Sequence, residues 1–182
     1  KALEPIVSDQ LSAGGPTTSG LLLFAGRRAD GIWTTLYETH GGGEGARCDR
    51  DGMPVLRVHM SNVMNTPAEI IEAEYPIQIV RHKLRRGSGG AGRHRGGDGL
   101  LREYLVTEDD ISLTSMFERA IVPPYGLQGG EPGATFQVNI ISANGEHHNL
   151  TGKSNLRLNC GDRVILESCG GGGYGDPLQS SD

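Results

Sequence analysis

Only three cysteines, Cys48, Cys160 and Cys169, occur in 182 residues, and no CxxC pair is among them. That spacing argues against a zinc ribbon and a redox dithiol. Three scattered thiols fit a reducing cytoplasm, the expected location, where most act as small buried residues. Aromatic residues make up 5%, which leaves little material for base-stacking platforms. Positive charge is also scarce: 17 basic residues stand against 22 acidic ones, a net charge of −5. A general nucleic-acid binder is disfavoured, since its affinity comes mainly from neutralising phosphates. The longest apolar run is LLLFA at 21–25, so no segment is expected to span a membrane. No charged-then-apolar leader opens the chain, and the start at Lys1 predicts a processed or trimmed N-terminus. The six histidines show neither HxH nor HxxxH spacing, so no metal is expected on this chain. GxSxG and Walker A signatures are absent as well.

Glycine is what the chain has in excess: 29 of 182 residues, about 16%, against a usual 7% or so. The glycines cluster instead of recurring every third residue, which excludes collagen. Between the clusters lie short runs with period-two alternation. Leu56, Val58 and Met60 oppose Arg57 and His59; Phe136, Val138 and Ile140 oppose Gln137 and Asn139. Asp30-Gly31, Asp51-Gly52, Asn144-Gly145 and Cys160-Gly161-Asp162 read as the short connections that hairpins require. YPIQIV reads as a strand with Tyr75, Ile77 and Ile79 on one face. One helix is predicted near 66–74, where Thr66-Pro67-Ala68-Glu69 has capping-box spacing with Pro at the first helical position. The expectation is a mainly β single domain over 1–182. It has short antiparallel strands and hairpins, glycine-rich loops, one or two short helices and a frayed tail at 178–182.

Three glycine clusters are candidate sites. ETHGGGEGAR at 38–47 sets Glu38 and His40 beside a possible anion-binding nest, usable for acid–base work. The plainer reading is a strand end with both side chains solvated. The loop GSGGAGRHRGGDG at 87–99 has seven glycines. It offers Ser88, Gly89, Gly90, Arg93 and Arg95 to a phosphate or carboxylate, or else binds only water or a partner subunit. It adjoins a basic stretch: residues 81–102 hold Arg81, Lys83, Arg85, Arg86, Arg93, Arg95 and Arg102. CGGGGYGDP at 169–177 reads as architectural, letting another backbone approach closely.

Taken together, these segments resemble the C-terminal part of the hydantoinase B/5-oxoprolinase family. The matching blocks are ETHGGGEGAR, VHMSNVMNTPAEIIEAEYPIQIVRHKLR, GSGGAGRHRGGDGLLREYLV, PPYGLQGGEPG, K-x-x-L-x-L-x-x-GD at 153–162 and GGGGYGDP. They fall in the family's order over residues 33–177. Gly87 stands where an acidic residue commonly precedes the Ser-Gly-Gly, and Cys169 where Pro often precedes the glycines.

The resemblance implies part of a multi-subunit enzyme. An A-type subunit, carrying ATP and Mg, phosphorylates the substrate, and the B-type subunit completes ring opening of a cyclic amide such as hydantoin or 5-oxoproline. In related ketone carboxylases the second step is carboxylation. A divalent metal belongs to the family's N-terminal half, which this chain lacks, so no cofactor is expected here. Expected partners are the A-type subunit, the N-terminal part of the B-type subunit and a small-molecule substrate, with no nucleic acid and no membrane. Glu38 and His40 would handle protons, and Ser88, Gly89, Gly90, Arg93 and Arg95 would hold anionic oxygen. Asn65 and Glu69 would position substrate, or simply cap the helix. A non-catalytic scaffolding β module is the alternative from another class. The isolated chain is expected to be inactive.

Overall fold

The computed structural model describes residues 3–56 and 64–179. It is mainly β, with two antiparallel sheets and two short helices, α1 at Glu4–Val7 and α2 at Ala68–Glu74. The strands of the first sheet are β1 (Gly20–Arg27), β2 (Trp33–His40), β5 (Ile111–Met116) and β8 (Ser154–Leu158), in the order β2-β1-β5-β8. The second holds β3 (Ile77–Arg85), β4 (Gly99–Val106), β6 (Gln137–Ile141), β7 (His147–Leu150) and β9 (Arg163–Glu167), ordered β3-β4-β9-β6-β7.

Alternation decides which side chains meet between the sheets, because successive residues of a strand point to opposite faces. Leu22, Phe24, Leu36 and Leu113 of one sheet share a core with Tyr104, Val106, Val138 and Leu166 of the other. The expected pattern on 136–140 holds: Phe136, Val138 and Ile140 are buried, while Gln137 and Asn139 are half-buried. On the outer face of β4, Glu103 is fully buried beneath Arg81 and Arg163, its ion-pair partners.

Two of the expected hairpins form. Gly31 (φ 81°) turns β1 into β2, and Gly145 (φ 88°) turns β6 into β7. In each, the residue before the glycine accepts a backbone N–H two positions on, Asp30 from Ile32 and Asn144 from Glu146. Cys160-Gly161-Asp162 does not close a hairpin. It carries the chain from β8 in one sheet to β9 in the other. Gly161 (φ 89°) bends it, while the Asp162 carboxylate accepts from Ala143 and Asn159.

The helix at 66–74 is present as α2, but the capping box is not. Pro67 occupies the N-cap position instead of the first helical one, and no side chain caps the helix. Pro67 is itself extended (φ −55°, ψ 143°), so the helix starts one residue later, at Ala68, and Thr66 falls one position before the cap. The following strand starts only at Ile77; the Tyr75 N–H instead closes α2 on the Ile71 carbonyl. Of the 56–60 alternation, Leu56 bridges Gly42, and Arg57, Val58, His59 and Met60 lie outside the described residues. In the expected tail, Pro177–Gln179 forms a 3-10 turn.

Candidate functional site

The three glycine clusters pack against one another. Segment 169–175 runs through the middle, and each of its backbone N–H groups from Gly170 onward donates to another segment. Gly170 bonds Ala134 and Gly173 bonds Glu131; Gly171 bonds Gly97 and Tyr174 bonds His94; Gly172 bonds Gly14 and Gly175 bonds Leu127. In the first two of these pairs, residues three apart reach the same neighbour, the repeat of an extended helix with three residues per turn. Returning bonds show the same spacing, since Gly43 donates to Cys169 and Ala46 to Gly172. A backbone surrounded on several sides at hydrogen-bonding distance has no room for side chains at positions 170–173. A Cβ on Gly171 would collide with the Glu44 carbonyl, and one on Gly43 with the Gly97 carbonyl. The excess of glycine is thus a packing requirement.

The loop residues are placed by this bundle. Ser88 is buried; its hydroxyl donates to the Arg85 carbonyl (2.7 Å) and accepts the Gly99 N–H (2.8 Å). The Gly89 N–H donates to Asp98, and the Gly90 N–H to the Gly171 carbonyl. Arg93 and Arg95 are exposed. Arg93 donates to the Cys48 carbonyl at 2.7 Å, while the Arg95 guanidinium lies 3.2 Å from the Asp98 carboxylate. Four of the seven residues of the basic stretch are ion-paired: Arg95 with Asp98, Arg81 with Glu103, Arg85 with Glu167 and Arg102 with Glu38.

Glu38 and His40 stand elsewhere, on the inner face of β2, and both are buried. They face Arg102 and Tyr104 of β4. The Tyr104 hydroxyl donates to Glu38 Oε2 at 2.8 Å and lies 2.7 Å from His40 Nε2. Arg102 approaches the other Glu38 oxygen at 3.4 Å, and His40 Nδ1 is 3.2 Å from the Gly20 carbonyl. A neutral imidazole can donate to Tyr104 or to Gly20; an imidazolium satisfies both. Burial holds the Tyr104 phenol well above its ordinary range, Glu38 adds to this, and Arg102 opposes it. The group can hold a proton between a carboxylate and an imidazole, away from bulk water.

Reading the sequence for site residues missed Arg102 and Tyr104. The signal was available: in GLLREYLV both fall on the face of Leu100 and Val106, and a charged residue in an apolar stripe needs a buried partner. Asn65, before α2, and Glu69, in its first turn, are exposed.

Among the described residues, no group of three or more His, Cys, Asp or Glu is placed to hold a metal ion. None of their helices is long and apolar enough to cross a membrane. Burial pushes the Cys169 thiol up to about 11, even with Arg119 and Arg85 nearby. Cys160 is exposed and Cys48 half-buried. Titration of the native chain with a thiol reagent at mildly alkaline pH should therefore label Cys160 and Cys48 but spare Cys169 until denaturant is added. Equal labelling of all three in the native chain would contradict the buried placement.

A family model described as hydantoinase B/oxoprolinase matches residues 1–177. An uncharacterized protein of Methanocaldococcus jannaschii is 39% identical over 98% of this chain and 31% of its own length. A putative D-/L-hydantoinase B-type subunit from a Pseudomonas species is 30% identical over 98% of the chain and 30% of its own length. Among solved structures, an ATP-dependent caprolactamase from Pseudomonas jessenii superposes with a TM-score of 0.86 at 26% identity, over 99% of this chain and 33% of that one. A nucleotide-free acetone carboxylase shares the fold, with a TM-score of 0.79 at 19% identity, over 98% and 28% respectively. The chain thus spans about a third of the length of these relatives.

Proposed function

The chain belongs to the hydantoinase B/oxoprolinase family, and from that premise we propose that it is the B-type portion of an ATP-dependent cyclic-amide hydrolase. In this reading an A-type subunit with ATP and Mg phosphorylates the amide oxygen of hydantoin, 5-oxoproline or a similar lactam. The B-type subunit then completes ring opening by water, with the divalent metal on its N-terminal part. One observation carries the reading: a hydantoinase subunit and a caprolactamase, both named for cyclic amides, match this chain nearly end to end. The likeness to acetone carboxylase supports the fold alone.

Within this reading, Glu38 and His40 manage protons through the Tyr104 hydroxyl. Arg93 and Arg95 supply guanidinium to anionic oxygen on substrate or phosphate, a role suited to their bidentate geometry. Ser88, Gly89 and Gly90 hold the loop that carries them, and Asn65 and Glu69 contact substrate or the adjoining part of the enzyme.

The test combines this chain with the A-type subunit and the N-terminal B-type part. ATP-dependent ring opening and ATP-dependent bicarbonate fixation into a ketone are then assayed on one preparation. Ring opening without fixation is expected; fixation alone would transfer the chain to the carboxylase branch, and neither activity in an intact assembly would leave a scaffold. The chain by itself should turn over nothing. In the assembled enzyme, Arg95→Lys should lower turnover roughly tenfold, about 1.4 kcal/mol of transition-state stabilisation. Normal turnover with unchanged complex mass would remove Arg95 from the active site.

A further inference from the structure

Five arginines among the described residues are buried or half-buried, and four of them meet carboxylates. Arg28 pairs with Asp30 and Glu74, Arg85 with Glu167, Arg102 with Glu38 and Arg163 with Glu103. Arg119 is the exception. No carboxylate of the described residues lies within 4.0 Å of it, and its Nε, like that of Arg102, is buried without a hydrogen-bond partner. Leaving such a donor unsatisfied costs on the order of 1–3 kcal/mol, more when the group is charged.

Arg119 also lines an open cleft of about 560 Å³, with Thr17, Phe117, Glu118, Ile121 and Val122. Ile121 and Val122 are 83% and 66% exposed there, a surface that suits an apolar body. Thr17 and Arg119 both adopt left-handed backbone, each at φ 62°. For non-glycine residues that conformation is strained, and such residues tend to cluster at ligand clamps. Glu118, on the same rim, accepts from the Thr17 hydroxyl at 3.4 Å and repels a multiply charged anion more strongly than a singly charged one.

We propose that this cleft binds a small molecule bearing a single carboxylate on an apolar body. Arg119 holds the carboxylate, and Phe117, Ile121 and Val122 hold the body. Guanidinium is the group that matches a carboxylate with two parallel N–H bonds. The site goes beyond the cyclic-amide reading, because binding needs neither ATP nor the other subunits.

The probes are hexanoate and its neutral isostere hexanamide, titrated into the 182-residue chain while amide chemical shifts are followed by NMR. Hexanoate should bind saturably, with Kd on the order of 1 mM, and shift residues 117–122 and 151–152. Hexanamide should bind at least about tenfold more weakly, since it carries no charge for Arg119. Arg119→Met should erase the difference between the probes. Arg157→Met, at an exposed arginine paired with Asp110, should preserve it. Equal affinity for both probes, no saturable shift by about 10 mM, or an unaltered hexanoate response in Arg119→Met would each overturn the proposal. If Arg119→Met does not fold, the wild-type comparison of the two probes still decides. Loss of ring-opening activity in the assembled enzyme would leave this binding result untouched, so the two readings fail separately.

Discussion

Gly171→Ala is expected to destabilise the chain by about 3 kcal/mol or more, or to prevent folding altogether. The added methyl meets the Glu44 carbonyl group and the Gly45 nitrogen, which are backbone atoms and cannot rotate away. Relief requires moving one segment of the bundle. The Gly171 N–H bond to Gly97 and the Gly90 N–H bond to Gly171 stand on either side of it. Losing a buried backbone bond costs a further 1–3 kcal/mol or so. Gly15→Ala is the control, because a Cβ there meets its nearest atom, the Gly43 carbonyl oxygen, at an ordinary 3.6 Å. That variant should stay within about 0.5 kcal/mol of the parent. Urea unfolding of the two variants checks both statements. A change below about 1 kcal/mol at Gly171 would mean that the bundle yields easily, and glycine would then need another explanation.

Arg102→Met should cost about 3–5 kcal/mol, the range for stranding one member of a buried ion pair. Methionine fills much of the space, so the loss reports the charge more than the volume. Glu38 is left buried without its guanidinium and stays against the Tyr104 hydroxyl and His40. Replacing Glu38 by Gln in the same chain should recover part of the loss, since the stranded charge is gone. A double-mutant cycle on Arg102 and Glu38, again by urea unfolding, measures the coupling. Strict additivity of the two substitutions would show that the pair does not interact across the sheets.

The elements and the glycine bundle differ in how far each could be read along the chain. LLLFAG and IWTTLYET with Asp30-Gly31 between them form a hairpin because alternation and turn chemistry are local, confined to residues near in sequence. The same holds for β6 and β7 around Asn144-Gly145. Cys160-Gly161-Asp162 carries the same kind of signal, yet it joins different sheets. What separates the cases is which strand each neighbour pairs with. β8 pairs with β5 and β9 with β4 and β6. The Asp162 carboxylate reaches Ala143 across 19 positions of sequence.

Glu38 and His40 were legible as chemistry-bearing residues but not as a buried pair. Their partners Arg102 and Tyr104 lie on a strand more than sixty positions away. The glycines show the division most plainly. By itself the sequence determined a mainly β chain with short strands, sharp turns and three flexible, amide-rich clusters. An amide without a neighbouring side chain can bond water, an anion or another backbone, and nothing local selects among these. Only the tertiary structure brings Gly90, Gly97 and Gly171 within hydrogen-bonding distance and sets Gly43 against the Gly97 carbonyl. There the absence of a Cβ on each permits the close approach, and the amides of segment 170–175 are spent on one another's segments instead of on a ligand.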